Sequence, residues 1–204
     1  MSFFKRVATM TAASLFILGA EAALASVKVG EAAPNFSLSG EDGKAHSLAD
    51  YQGKTVVLEW TNADCPFVKK HYSSGNMQSL QKTYTGKDVV WLSVISSAPG
   101  KQGAVDAAGA AAIIKAKAAS PTHVLLDPKG EVGRLFEAKT TPHLFIVDAK
   151  GKLAYAGGID SEASADPADI ATATPYVKNA LDELLAGKTV TAAVTKPYGC
   201  SIKY

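Results

Sequence analysis

The sequence predicts a single α/β domain in which a central mixed sheet is flanked by helices. Strand-like and helix-like segments alternate along residues 34–187, and such alternation implies a sheet with helices on both faces. Two of these segments, 55–60 and 88–96, are mostly apolar and rich in β-forming residues, as expected for strands buried on both faces. The sequence contains neither an internal repeat nor a second hydrophobic core.

The composition excludes several classes of protein. The 204-residue chain is 47% hydrophobic and carries a formal net charge of +2, which argues against a disordered chain. This weak charge gives no electrostatic footprint for nucleic acid, so we predict no nucleic-acid partner. Two cysteines are too few for a disulfide-rich miniprotein or a four-cysteine zinc site.

Residues 1–25 are predicted to be a secretory signal peptide. Lys5 and Arg6 precede an apolar run at 7–20, and 23–25 form an A-x-A cleavage site. The run is shorter than the roughly 20 residues that span a bilayer, which favours cleavage over an uncleaved anchor. We therefore expect a periplasmic or secreted protein with no stable membrane insertion after cleavage. Disulfides can persist in such a compartment.

The elements of the first half follow from alternation and turn signals. Residues 34–48 predict two short strands joined by a turn at 41–43. The buried strand at 55–60 is followed by a loop and then by one helix from about 66 to 84. The segment 88–96 predicts the next strand.

The second half continues the same alternation. The Ala-rich segment 103–119 predicts a helix, and 124–126 a short apolar strand. A short helix is expected at 132–138, followed by a strand at 144–147 and its hairpin partner at 153–157.

The last predicted helix begins at Thr174 and Pro175, an N-cap residue followed by a first-turn proline. Gly187 ends it. Its apolar stripe consists of Val177, Ala180, Leu181, Leu184 and Leu185. We thus place the domain at 26–187 and an irregular C-terminal tail at 188–204.

Cys65 is a candidate reactive thiol because it lies just past a buried strand, where a helix is predicted to begin. Pro66 suits the first helical position. A helix N-terminus stabilises a thiolate and lowers its pKa, and Lys69, Lys70 and His71 add nearby basic groups. The alternative is a small buried cysteine that only packs.

Several segments resemble the thioredoxin-like redoxins, in particular the alkyl hydroperoxide reductase/thiol-specific antioxidant (peroxiredoxin-like) family. The resemblance covers nearly all of the chain that follows the predicted signal peptide. The segments that carry it are Gly30–Phe36, Leu48–Lys54, Asn62–Tyr72, Ser96–Gly103, Thr140–His143 and Gly199–Tyr204.

This resemblance implies a thioredoxin-like fold and a thiol oxidoreductase. It implies a cis Thr141–Pro142 peptide, with Pro142 against Cys65. The substrate would be a peroxide or a protein disulfide, between which the sequence does not decide, and a thiol reductant partner would complete the cycle. A substrate groove would be shaped by Thr141, Pro142, His143, Asn62 and Pro66.

The sequence departs from both family patterns. Val68 stands where a C-x-x-C motif has its second cysteine, so no resolving thiol lies within the motif. Peroxiredoxins of the usual type have Thr three residues before the reactive cysteine, whereas here Asn62 holds that position and Thr61 precedes it. Cys200 could supply the missing thiol by resolving a sulfenate or mixed disulfide at Cys65. The alternatives are a permanent staple between these two cysteines, or no pairing.

Other polar residues suggest weaker hypotheses. Glu59 is either a buried acid that relays protons to the thiol or a residue at a strand edge that is partly exposed to solvent. His46 and His123 are expected to be structural or solvated. We predict no cofactor or metal, but keep a non-enzymatic alternative in which Cys65 and Cys200, with His143, carry Cu(I).

Overall fold

The computed structural model describes residues 27–204, so the predicted signal peptide lies outside the described residues. Seven strands form one mixed sheet in the order β2-β1-β5-β4-β3-β7-β8, and β6 and β9 form a separate antiparallel pair. The strands are β1 (Ser37–Gly40), β2 (Ala45–Ser47), β3 (Val56–Trp60), β4 (Val90–Ile95), β5 (His123–Leu126), β6 (Thr140–Thr141), β7 (His143–Val147), β8 (Leu153–Gly157) and β9 (Cys200–Ser201).

Helices cover both faces of the sheet, as predicted. They are α1 (Pro66–Ser73), α2 (Asn76–Thr85), α3 (Ala107–Ala116), α4 (Glu131–Leu135) and α5 (Tyr176–Leu185), with 3-10 helices at Leu48–Tyr51 and Pro167–Ala171. Every residue of β3 and β4 is buried, which explains their continuous apolar sequences. Val57 belongs to the core beneath α1, α2 and α5, whereas Leu58 belongs to the core beneath α4. This arrangement confirms the predicted thioredoxin-like fold class.

The predicted single helix at 66–84 is wrong. Gly75 adopts a φ of +76° and divides the segment into α1 and α2. This left-handed conformation costs glycine little, so Gly75 can turn the chain here. Two other predicted helices begin later than expected: α3 starts at Ala107, after the Asp106 side chain caps it, and α5 starts at Tyr176.

The predicted irregular tail contains a short strand and is packed onto the domain. Its strand β9 pairs with β6 in the register Thr140↔Ser201 and Thr141↔Cys200. Beyond it, the Ala98 amide donates to the Lys203 carbonyl oxygen over 2.8 Å. These pairings join residues far apart in sequence, so the local pattern of the tail did not show them.

In the part of the chain that the structure describes, none of the helices combines the length and apolar character needed to cross a membrane.

Candidate functional site

Cys65 lies at the carboxyl end of β3, where it is the N-cap residue of α1. Pro66 occupies the first turn, as predicted, and its missing amide hydrogen costs no helical hydrogen bond there. The Cys65 side chain is completely buried, whereas Pro66 is exposed. The reactive-thiol candidate is therefore not open to solvent in this state.

The tail brings Cys200 directly onto Cys65. The Thr141–Pro142 peptide is cis, which confirms the expectation from the family resemblance, and Thr141 is paired with Cys200. The two sulfur atoms are 2.7 Å apart, and the Cys65 thiol also lies 3.0 Å from the Thr141 carbonyl oxygen. Both cysteines are free thiols in the structure. The fold thus joins two cysteines separated by 135 positions in the sequence.

The two thiols differ in their acidity. Burial by itself raises the pKa of Cys65, but hydrogen bonds from the Cys200 thiol and from the Val68 and Cys200 amides bring that pKa below its usual value. Burial and the neighbouring Cys65 raise the pKa of Cys200 to about 11. Near neutral pH, Cys65 is therefore the better thiolate, and Cys200 is the proton donor beside it.

This difference predicts the pH dependence of alkylation. When the reduced protein is treated with iodoacetamide at increasing pH, Cys65 should react with a midpoint below the ordinary cysteine value of 9.0, and Cys200 with a higher midpoint. Peptide mass spectrometry assigns each adduct. Equal midpoints, or a Cys65 midpoint above that of Cys200, would contradict the assignment of Cys65 as the thiolate.

Four of the five predicted groove residues are buried and do not line an open groove; the fifth, Pro66, is exposed. Thr141, Pro142, His143 and Asn62 are buried. Because β9 pairs with β6, the tail itself occupies the edge beside Thr141. In this state the tail therefore covers the predicted groove, and access to Cys65 requires movement of the tail.

The buried polar groups of Asn62 and His143 have partners inside the domain. The Asn62 oxygen accepts from the Asp64 amide over 2.9 Å, and its amide nitrogen donates to the Gln102 carbonyl oxygen over 3.1 Å. The His143 Nδ1 accepts from the Lys139 amide over 3.2 Å, and burial lowers the pKa of His143 to about 3. Asn62 therefore ties two loops together, and His143 is neutral near neutral pH.

Glu59 is fully buried, so the alternative that it is partly exposed to solvent is wrong. Burial raises the pKa of its carboxyl group, although its hydrogen bonds act in the opposite direction. Neither cysteine is among the groups that donate hydrogen bonds to it. Its donors, at 2.8–3.2 Å, are Tyr72, Gln81, Trp91 and Ser93.

The sequence interpretation missed a buried polar network that holds the tail. The His71 Nε2 lies 3.1 Å from the Tyr198 hydroxyl, which also donates to Asp160. Lys70 is buried, and its ammonium lies 4.0 Å from the Asp160 carboxylate. Tyr198 precedes Cys200 by two residues, so this network fixes the segment that carries the second thiol.

No local signal could have revealed this network, because residue 71 and residue 198 come together only in the fold. Burial lowers the pKa of His71 to about 4, so its ring is neutral near neutral pH. Its ring therefore positions Tyr198 and supplies no positive charge to Cys65.

The ligand set of the copper-carrier alternative is not assembled. Among residues 27–204, the thiols of Cys65 and Cys200 and the His143 ring do not come together as a three-ligand group. A Cu(I) site of this composition would need a different arrangement of the tail.

A buried cysteine at the start of α1, a cis-proline loop facing it and the strand order of the sheet define a thioredoxin-like redoxin. A match over residues 29–156, more than half of the chain, shows that it belongs to the AhpC/TSA family. No curated protein matches the chain.

Solved structures support the same class. An uncharacterized conserved protein from Geobacillus kaustophilus is 26% identical, with a TM-score of 0.73 over 87% of this chain and 92% of its own. A protein described as a thiol:disulfide interchange protein DsbE, from Chlorobium tepidum, is 27% identical, with a TM-score of 0.53 over 64% and 85%. Peroxidoxin BcpB from Mycobacterium tuberculosis shares the fold at 20% identity, with a TM-score of 0.56 over 78% and 97%.

Proposed function

We propose that this protein is an exported thiol oxidoreductase in which Cys65 and Cys200 cycle between a dithiol and a disulfide. The main support for this proposal is the 2.7 Å separation of their sulfur atoms at the start of α1. A disulfide bond is about 2.05 Å long, so a small approach of the two side chains suffices to form it. Export rests on the sequence of residues 1–25.

In the oxidative half-reaction, the Cys65 thiolate attacks one sulfur of a substrate disulfide. A mixed disulfide forms, and the other substrate sulfur leaves as a thiolate. Cys200 loses its proton and attacks the Cys65 sulfur, which forms the Cys65–Cys200 disulfide and releases the second substrate thiol. The substrate disulfide is reduced by two electrons, and the two cysteines supply them.

In the reductive half-reaction, a thiolate of the reductant attacks the sulfur of Cys200. Cys200 is partly exposed, whereas Cys65 is fully buried. Cys65 leaves as the thiolate, and a thiol of lower pKa leaves faster. A second reductant thiol then frees Cys200, so the cycle returns to the dithiol.

A protein disulfide is the substrate class that the geometry favours. The β6 edge beside Pro142 is paired with the tail in an antiparallel register, and an extended peptide could take the place of the tail there during the first attack. The tail would then return to bring Cys200 to the mixed disulfide. Asn62 stands at the position of the peroxiredoxin threonine. Its side chain accepts a hydrogen bond from the Asp64 amide and donates one to the Gln102 carbonyl oxygen. The threonine hydroxyl that peroxiredoxins of the usual type carry at this position is therefore absent.

Peroxide reduction is the second candidate, and it is favoured by the complete burial of Cys65. A small oxidant could reach the sulfur with less displacement of the tail than a protein would need. The Cys65 thiolate would attack one peroxide oxygen and become a sulfenic acid, while the other oxygen leaves as hydroxide. Cys200 would then attack the Cys65 sulfur, which forms the disulfide and releases the sulfenic oxygen as water.

The test is to mix the reduced protein with a stoichiometric amount of either a disulfide-bonded peptide or hydrogen peroxide. We expect the peptide to generate the Cys65–Cys200 disulfide faster, as followed by peptide mass mapping. Dithiothreitol should then reverse it in the native protein. A faster reaction with peroxide would favour the second candidate, and a disulfide that resists reduction without unfolding would indicate a permanent staple.

A further inference from the structure

We propose that Asp42, His46 and His123 form a binding site for a divalent transition-metal ion, with Zn²⁺ as the ion that fits best. Asp42 lies in the turn between β1 and β2, His46 is in β2, and His123 is the first residue of β5. The Glu41 amide donates to the Val124 carbonyl oxygen over 3.0 Å, which holds this turn against β5.

The three side chains already present their ligand atoms to one another. One ligand atom from each residue lies within 4.8 Å of the other two, and the Asp42 Oδ1 is 3.0 Å from the His46 Nε2. Ligand atoms around tetrahedral zinc, at bond lengths of about 2.0–2.1 Å, are about 3.3 Å apart. An ion would therefore replace the proton between Asp42 and His46, with a small approach of His123.

The outer nitrogen of each imidazole also faces an oxygen, as is usual for histidines that bind metals. The His46 Nδ1 lies 3.1 Å from the Tyr51 hydroxyl. The His123 Nδ1 lies 3.5 Å from the Glu41 carboxylate, and this buried nitrogen makes no hydrogen bond within residues 27–204. The contact of the His46 Nδ1 with Tyr51 leaves the His46 Nε2, which already lies beside Asp42, for an ion.

Gly40 leaves space for the ligand atoms. A Cβ atom at this position would lie 2.8 Å from both the Asp42 Oδ1 and the His46 Nε2. The backbone of Gly40 has no positive φ, so the need for glycine here comes from this close approach. Two imidazole nitrogens and one carboxylate oxygen suit Zn²⁺ and leave its fourth position to water.

This site is separate from the thiols. Strand β5 is parallel to β4, which is parallel to β3. His123 begins β5, whereas Cys65 follows the end of β3. The two sites therefore lie at opposite ends of these parallel strands. A bound ion would join the N-terminal hairpin to β5 and stabilise the fold by mass action.

The test uses the full chain without an affinity tag and with Cys65→Ser and Cys200→Ser, so that the thiols cannot bind zinc. Isothermal titration with Zn²⁺ should show one ion per chain, and Co²⁺ should give the intense visible bands of a tetrahedral site. His46→Ala and His123→Ala should abolish this binding. Asp42→Asn and Tyr51→Phe should weaken it about tenfold or more.

Asp88→Asn, which changes an exposed carboxylate elsewhere, is the matched control and should bind Zn²⁺ like the parent. Circular dichroism shows whether each variant is folded. If a histidine variant does not fold, the Zn²⁺ affinities of Asp42→Asn and Tyr51→Phe decide the result. Absence of stoichiometric Zn²⁺ binding, or binding that is unchanged in the folded variants, overturns the proposal. Neither result depends on turnover by the thiols.

Discussion

Cys200→Ser should stop the thiol cycle after its first step. In this variant Cys65 still attacks a disulfide-bonded peptide, but no neighbouring thiol lies 2.7 Å away to displace the product. The mixed disulfide between Cys65 and the peptide should therefore accumulate, and turnover should fall to the background of the buffer. Intact-protein mass spectrometry measures the adduct. Cys65→Ser should lose the same turnover without forming any adduct.

A matched control moves the tail thiol by one position. Cys200→Ser combined with Ser201→Cys keeps two cysteines, but neighbouring side chains of a strand point in opposite directions. The moved thiol should therefore face away from Cys65, and the adduct should accumulate as in Cys200→Ser alone. If Cys200→Ser turned over at the rate of the unchanged protein, Cys200 would not be the resolving thiol.

Glu59→Leu should cause a large loss of stability because it removes the acceptor shared by four buried donors. An unsatisfied buried donor costs about 1–3 kcal/mol, and some of these groups can relax toward each other. We therefore expect the free energy of unfolding to fall by about 3–5 kcal/mol. Urea unfolding measures the change. Glu59→Gln, which keeps an acceptor oxygen, should cost much less.

The same residue predicts a pH dependence. Burial raises the pKa of Glu59 in the folded state above its ordinary value of 4.5. At a pH between 4.5 and the raised pKa of the folded state, Glu59 is ionised in the unfolded chain but still protonated in the folded chain. The free energy of unfolding therefore falls as pH rises through this window. Glu59→Gln lacks this effect, and its stability relative to the unchanged protein should improve as pH rises above 4.5.

Glu31→Gln, which makes the same substitution at an exposed position, is the matched control. A stability difference between Glu59→Gln and the unchanged protein that stayed constant with pH would contradict a raised pKa of Glu59.

The elements of the sheet were predictable because each depends on a local pattern. The apolar segments that became β3 and β4 needed no knowledge of their neighbours, and the turn at 41–43 was marked by its glycine. The break between α1 and α2 had a local signal too. Gly75, after two serines, can adopt the left-handed conformation that ends a helix.

The candidate site was predictable only in part. Cys65 at a helix start is a local feature, and the cis Thr141–Pro142 peptide followed from the family resemblance. The covering of this loop by β9 was not predictable, because a two-residue strand carries no pattern of its own. The tail was therefore expected to be irregular.

The sequence by itself determined the fold class, the position of Cys65 at the start of a helix and the lack of a second cysteine within its motif. These depend on residue type and short spacing. Only the tertiary structure decided that Cys200 contacts Cys65, that Tyr198 is hydrogen-bonded to His71, and that Glu59 is completely buried. It also brought His46 to His123. Each of these joins segments far apart in the chain, and such contacts arise when the sheet and helices pack.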